Sequence, residues 1–402
     1  MSETLFYNPG TTLITDTIAT GNISVNLDLL DRWLYLRPSA SNAATIVAGM
    51  TRMANTYGQS AWGTNVFSTQ GMSYANAYGI MTNQTIYGTI YMPGGYVFQT
   101  AGNGNNQSAV FSAKENTITN YVINNTGGNG TFGGCLLPDG RALILNAGAA
   151  VNSIWFWNNI TRTSSTKAIP TGQNIGYAGA CQTVDGNIAM TPISTSNIVL
   201  LNTRTFTLSN VYNFAPRSFG LGCSLDVTGN VIVSPTNATN GIGVWNPAAG
   251  TLYSVPATGV NALVRWSAVA GDGRIIFDPA TFDFIPTYNP LTLTYTSYTA
   301  PWAAGTLRFG CGKTLPDGRV LFLQAYGGTF CAIFNHQTNT ATTFIYPALS
   351  PNLSVIGGNF VPDGRFICAN STGISNVPII TSLCSTAVPE AWCLHPFFNK
   401  CR

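Results

Sequence analysis

A turn that returns every 43–46 residues governs what this chain can fold into. It is clearest as Leu137-Pro138-Asp139-Gly140-Arg141, Leu315-Pro316-Asp317-Gly318-Arg319 and Val361-Pro362-Asp363-Gly364-Arg365. Weaker copies end at Gly95, Gly186, Gly229 and Gly273, giving seven evenly spaced turn glycines. A second signature keeps the same period: an apolar or aromatic residue, a small polar one, then Thr five positions on. It reads Phe111-Ser112…Thr117, Trp157-Asn158…Thr163, Leu201-Asn202…Thr207, Trp245-Asn246…Thr251, Tyr288-Asn289…Thr294, Phe334-Asn335…Thr340 and Ile380-Thr381…Thr386. Two unrelated signatures in one register across seven copies define an internal repeat.

Each unit has a physical reading. Asp-Gly or Gly-Gly between two apolar runs marks a tight hairpin, because glycine accepts the positive φ that such turns require. The flanking segments are short and rich in strand formers, as in Arg319–Leu323 and Thr329–Phe334. The Asn/Thr stretch is a second turn. That predicts four strands per unit with no helical periodicity between them. A four-stranded unit of this length repeated seven times predicts an all-β propeller. The strand before each turn opens with small residues, such as Gly133-Gly134-Cys135, Gly179-Ala180-Cys181, Gly222-Cys223 and Cys311-Gly312, which suits the crowded innermost position.

The units resemble kelch- or WD-type propeller repeats over roughly residues 84–398. The Gly-His and Trp-Asp dipeptides of WD repeats are missing, and the double glycine of kelch repeats occurs in only some copies, so the subfamily stays open. Degenerate Pro-Asp-Gly-Arg-Val-Leu-Phe units in an Asn/Thr/Gly-rich chain are also similar in style to structural proteins of large DNA viruses and phages. That resemblance implies a capsid or other virion component.

The division expected is an irregular N-terminal arm over 1–82 and a seven-repeat propeller over 83–402 with a short C-terminal tail. Within the arm, Phe6-Tyr7-Asn8-Pro9 echoes Tyr288-Asn289-Pro290, so residues 6–12 are candidates for an outer strand that pairs with the last blade and closes the ring. Residues 25–37 suit a short helix or a strand. Val66-Phe67-Ser68…Ser73 keeps the repeat spacing, so a decayed eighth copy over 40–82 is the alternative to seven blades.

Composition narrows the function. Charged residues are 8% of the 402, against roughly 25% in an ordinary soluble domain. Net charge is +3, too small and dispersed to steer the chain onto nucleic acid or an anionic membrane. No apolar run is long enough to span a bilayer. Met1-Ser-Glu-Thr-Leu-Phe-Tyr-Asn8 lacks the basic and apolar regions of a signal peptide, so synthesis in the cytoplasm is expected. Nine cysteines show no metal-ligand spacing, and buried thiols are expected, with a disulfide among Cys384, Cys393 and Cys401 as the alternative.

Catalytic groups are scarce. The only histidines are His336, read as an exposed turn residue, and His395, read as part of the tail. Five aspartates belong to the turns: 139, 185, 272, 317 and 363. A carboxylate-based glycosidase would have to draw on Asp16, Asp28, Asp31, Asp226, Asp278, Asp283 or a glutamate. Asp278 and Asp283 are near enough in sequence to hold a cation, with a plain loop as the other reading. Arg141, Arg274, Arg319 and Arg365 follow their turn aspartates, which favours Asp–Arg braces over an anion-binding ring. No catalytic, cofactor or metal residue is assigned, and no cofactor is expected.

The function expected is thus a non-enzymatic structural or protein-interaction propeller within a large assembly, located in a virion, with other assembly proteins as partners. A carbohydrate-binding adhesin is the first alternative, with Trp157 and Trp245 as stacking platforms. A propeller enzyme with a channel-lining site is the second.

Overall fold

The computed structural model describes residues 38–51, 74–77, 86–102, 107–123, 131–146, 153–169, 176–192, 197–213, 219–235, 241–257, 266–279, 282–304, 309–324, 330–344, 355–370, 377–380, 390–395 and 397–399. Helix occurs at 43–51 and at Glu390–Leu394; the regular structure between them is antiparallel strand. None of the described helices is long and apolar enough to cross a membrane.

The described strands form seven four-stranded sheets. Six are blades of four consecutive strands, spanning Ile86–Val122, Thr131–Ala168, Tyr177–Asn213, Phe219–Val255, Ser267–Thr299 and Phe309–Phe344, here numbered 1 to 6. The remaining sheet is composite. Val355–Phe360, Phe366–Asn370 and Val377–Ile380 are completed by Tyr74–Ala77, which pairs antiparallel with Val377–Ile380. Its inner strand packs between those of blades 6 and 1, so the ring is closed.

One expectation for the N-terminal arm changes. The strand that completes the composite sheet is Tyr74–Ala77, while the proposed closing strand at 6–12 and the segment 25–37 lie outside the described residues. Where a decayed eighth copy was expected over 40–82, residues 43–51 are helical and Tyr74–Ala77 belongs to another sheet, so the described part of that span makes no blade of its own.

The repeat signatures become turns with defined hydrogen bonding. In blade 2, Gly140 N donates to Leu137 O (2.9 Å) and Leu137 N to Arg141 O (2.8 Å), with Gly140 at φ +83°. At the second turn of the same blade, Asn158 Oδ1 accepts from Ile160 N and Thr161 N at 2.9 and 3.2 Å. The chain then passes through a left-handed residue flanked by two threonines, Thr161-Arg162-Thr163, whose hydroxyls bond at 2.7 Å.

Blade 4 places Gly250 at the left-handed position, but Phe206, Leu293 and Asn339 hold it in blades 3, 5 and 6 at φ of +54° to +57°. A side chain there costs about 1–2 kcal/mol, part of which glycine loses again to its freer unfolded chain. Leu293 is 51% exposed, so little packing is at stake. Leu293→Gly is therefore expected to stabilise the protein by roughly 0.5 kcal/mol, read as a higher urea midpoint with unchanged slope.

The core lies between blades. Trp157 of blade 2 packs on Phe98 and Tyr121 of blade 1, with ring centroids 5.7 and 4.5 Å apart. Trp245 of blade 4 is buried with Cys181, Ala189 and Ile198 of blade 3. Outer strands such as Thr163–Ala168 and Thr294–Thr299 are largely exposed and polar.

Candidate functional site

Up-and-down strands divide the connections between two faces. Tight turns such as 137–141 lie on one face; on the other, here the link face, the last strand of each blade ends and the first strand of the next begins. The number of residues between strands is nearly fixed across the turns and varies from one blade to the next.

The turn face is closed at the axis by the C-terminal segment. Innermost strands leave one backbone edge without a neighbouring strand, and those groups need partners when buried. Asn399 supplies them in blade 1: its Oδ1 accepts Tyr91 N at 2.9 Å and its Nδ2 donates to Tyr91 O at 2.7 Å. Glu390 Oε1 accepts from Gly94 N (2.7 Å) and from the Tyr91 hydroxyl (3.1 Å). Burial, with Cys393 and Glu390 adding to it, pushes the Tyr91 phenol far above its ordinary value and keeps it a donor. Between these anchors Trp392, Leu394, His395, Phe397 and Phe398 are buried.

A polar chain runs across the axis beneath this plug. Lys313 of blade 6 is buried, its Nζ donating to Asn359 Oδ1 of the composite sheet (2.8 Å) and to Phe398 O (3.4 Å). Asn359 Nδ2 in turn donates to Thr89 O (2.7 Å) and Oγ1 (3.1 Å) in blade 1. Three sheets and the plug thus share one network, which satisfies a charge that burial would otherwise penalise. A cavity of about 10 Å³, room for about one water, lies among Cys135, Ala180, Cys181, Gln182, Leu394 and Asn399. The arrangement fixes the plug and leaves no room for a substrate among these residues.

The residues singled out from the sequence are placed as follows. His336 is buried where an exposed turn residue was expected: its ring packs against Gly271 and Gly318, whose missing side chains make the space, and burial lowers its basicity. His395 is also buried, stacked near Phe397 and Phe398, its Nδ1 accepting from Phe397 N at 3.2 Å. Asp278 is buried and Asp283 exposed, so the two do not share an environment. Among the described residues no group of three or more His, Cys, Asp or Glu is arranged to hold a metal ion. Trp157 and Trp245 are core, which removes both as stacking platforms for a sugar. Cys135, Cys181, Cys223, Cys331, Cys368 and Cys393 are buried; Cys384 and Cys401 lie outside the described residues. Asp16, Asp28 and Asp31 also lie outside them.

The four arginines form the expected braces with Asp139, Asp272, Asp317 and Asp363, each at 2.6 Å. Three of them also cross a seam. Arg141 covers the Phe206 ring of blade 3 (4.5 Å), Arg274 donates to His336 O of blade 6 (2.6 Å), and Arg365 donates to Asn116 Oδ1 of blade 1 (2.7 Å). Arg274 adds a bond to the Tyr298 hydroxyl at 2.7 Å. Arg274→Ala is accordingly expected to cost about 2 kcal/mol, against at most about 1 for Arg141→Ala, compared by urea unfolding.

No protein-family model matches the chain, and neither does any curated protein. Solved structures do. A streptogramin B lyase superposes with a TM-score of 0.64 at 16% identity, covering 77% of this chain and 97% of the lyase. Virginiamycin B lyase from Staphylococcus aureus with quinupristin gives 0.65 at 15%, covering 77% and 99%. The WD40 repeats of RRP9 give 0.57 at 7%, covering 76% and 96%.

These likenesses correct one expectation. Few histidines and carboxylates suggest a non-enzymatic chain, yet the same architecture carries lyases. Scarcity of familiar catalytic groups therefore does not place the chain outside enzymes. What the likenesses establish is the fold: an all-β propeller of four-stranded blades.

Proposed function

We propose that this protein is an interaction propeller that engages protein partners through its link face, as a component of a large assembly, with the composite sheet serving as a seventh blade. One observation carries the reading: the chain's own C-terminal segment fills the axis on the turn face, anchored by Asn399, Glu390 and Phe398. A ligand approaching the axis is left with the opposite face, where one blade ends and the next begins. Variable loops on a rigid scaffold are where binding is usually built. The charge-poor composition supports an embedded protein, because low charge is a solubility liability for a free one. The kelch likeness and a place within a virus particle belong to the same proposal and rest on the sequence resemblance.

The test is a density gradient of the source lysate followed by mass spectrometry. Recovery with large particles at fixed stoichiometry is the expected result. Recovery only at about the monomer position, with the small soluble proteins, overturns the assembly reading.

A further inference from the structure

The hairpin turn of blade 4 breaks the repeat. In five other sheets the residue whose N–H closes the turn is Leu137, Thr183, Ala270, Leu315 or Val361. The carboxylate sits two residues later, at Asp139, Asp185, Asp272, Asp317 or Asp363. Blade 4 reverses this order, with Asp226 at the closing position and Thr228 outside it. In blade 3 the Thr183 hydroxyl donates to Asp185; in blade 4 the Thr228 hydroxyl donates to Asp226 Oδ1 at 2.7 Å. The exchange preserves the turn and moves a carboxylate from the surface to the interior.

Asp226 is fully buried. Its Oδ1 also accepts Thr228 N (2.8 Å) and Asn230 N (2.9 Å), while Oδ2 has no hydrogen-bond partner among the described residues. Across the seam, blade 5 places Tyr288 where other blades have Trp157, Leu201, Trp245 or Phe334. Tyr253 of blade 4 lies beside the Tyr288 hydroxyl, and Tyr295 pairs opposite it. The neighbouring turn brings the Asp272–Arg274 pair, with Val227 packed towards Gly273. Burial and the hydrogen bonds from Thr228 and Asn230 are what act on the Asp226 carboxyl, with no cation among them.

The N-terminal helix sits over this seam. A Cβ on Gly229 would lie 2.5 Å from Pro38 O, and one on Gly273 would lie 2.7 Å from Val47. The Thr51 hydroxyl reaches Gly271 O at 3.5 Å. Residues 38–51 thus span the turns of blades 4 and 5.

We infer that the seam is a proton-operated dock for residues 38–51: with Asp226 neutral the two blades close and the helix seats on them, and with Asp226 ionised a buried, half-satisfied charge loosens both. The direction of the linkage follows from burial, which raises this carboxyl to about 6 despite the opposing hydrogen bonds. An acid raised in the folded state gives stability that is complete below its ordinary value and is lost as pH rises through the raised one. His336 acts in the opposite sense: lowered by burial, it loses stability as pH falls below its ordinary value. It lies between the turns of blades 5 and 6, facing Asp272, Arg274, Asp317 and Arg319, so the effect of Asp226 is read as a difference that cancels it.

The experiment compares the full chain with Asp226→Asn and with the double exchange Asp226→Thr plus Thr228→Asp, which rebuilds the blade 3 arrangement. From pH 7 to pH 5 the unfolding constant of the unaltered chain should fall about tenfold relative to either variant. Amide exchange across 38–51, corrected for intrinsic rates, should slow over the same interval in the unaltered chain alone. A relative change below about twofold, or a pH dependence of exchange retained in both variants, overturns the inference. If Asp226→Asn fails to fold, the double exchange carries the test, since its turn already exists once in the molecule.

Discussion

Trp392→Ala should remove about 3–5 kcal/mol of unfolding free energy, the range found when large buried aromatics are truncated. The indole is buried on the axis, stacked on Phe398 with centroids 4.6 Å apart and set edge-on to Phe360 at 5.5 Å. Met50 of the N-terminal helix and Leu315 of blade 6 meet the same site. Trp392→Phe keeps most of the contact and should cost less than half as much. Urea denaturation reads both. A loss under about 1 kcal/mol for alanine, the level of an ordinary surface change, would show that the plug lies outside the cooperative core.

Gly134→Ala should be at least as damaging, although it adds a single methyl. A Cβ on Gly134 would stand 1.8 Å from Leu143 O, and 3.0 Å from Ile90 of the neighbouring blade. The obstacle is backbone of the same blade, which cannot rotate away. The change is expected to exceed the usual 1–3 kcal/mol of overpacking and to abolish folded expression. Gly250→Ala is the control: nothing lies within 4 Å, but φ is +62°. About 1 kcal/mol of backbone strain is expected there. Near-equal effects for the two would mean that the innermost strands tolerate displacement.

The ring was legible because its signals are local and repeated. Asp-Gly pairs and Asn/Thr turns work through bonds within a few residues, so each copy could be read alone and the period checked against the rest. Tyr74–Ala77 was not legible. Tyr-Ala-Asn-Ala carries little alternation, and its position is set by Val377–Ile380 at the far end of the chain. The burial of His336 was missed for a related reason. The equivalent residues Ala113, Asn159, Thr203 and Pro247 are only half-buried, and the space that takes this one deeper comes from Gly271 and Gly318 in two neighbouring turns. The plug left a readable trace, Trp392, Phe397 and Phe398 within a few residues. Such aromatic density in a supposed tail calls for a buried destination.

The composite sheet also sets a schedule for synthesis. Blades 1 to 6 can assemble in order as they emerge, but Tyr74–Ala77 waits for partners made last, and the axis stays unfilled until residues 390–399 appear. At common rates of translation that interval is on the order of tens of seconds. Throughout it the nascent chain presents an uncovered apolar face on blade 1 and another on the newest blade, together with inner strand edges that the plug has not yet met, all open to a neighbouring chain. Crowding of ribosomes on one message, rather than the stability of the finished ring, would then govern the yield of folded protein.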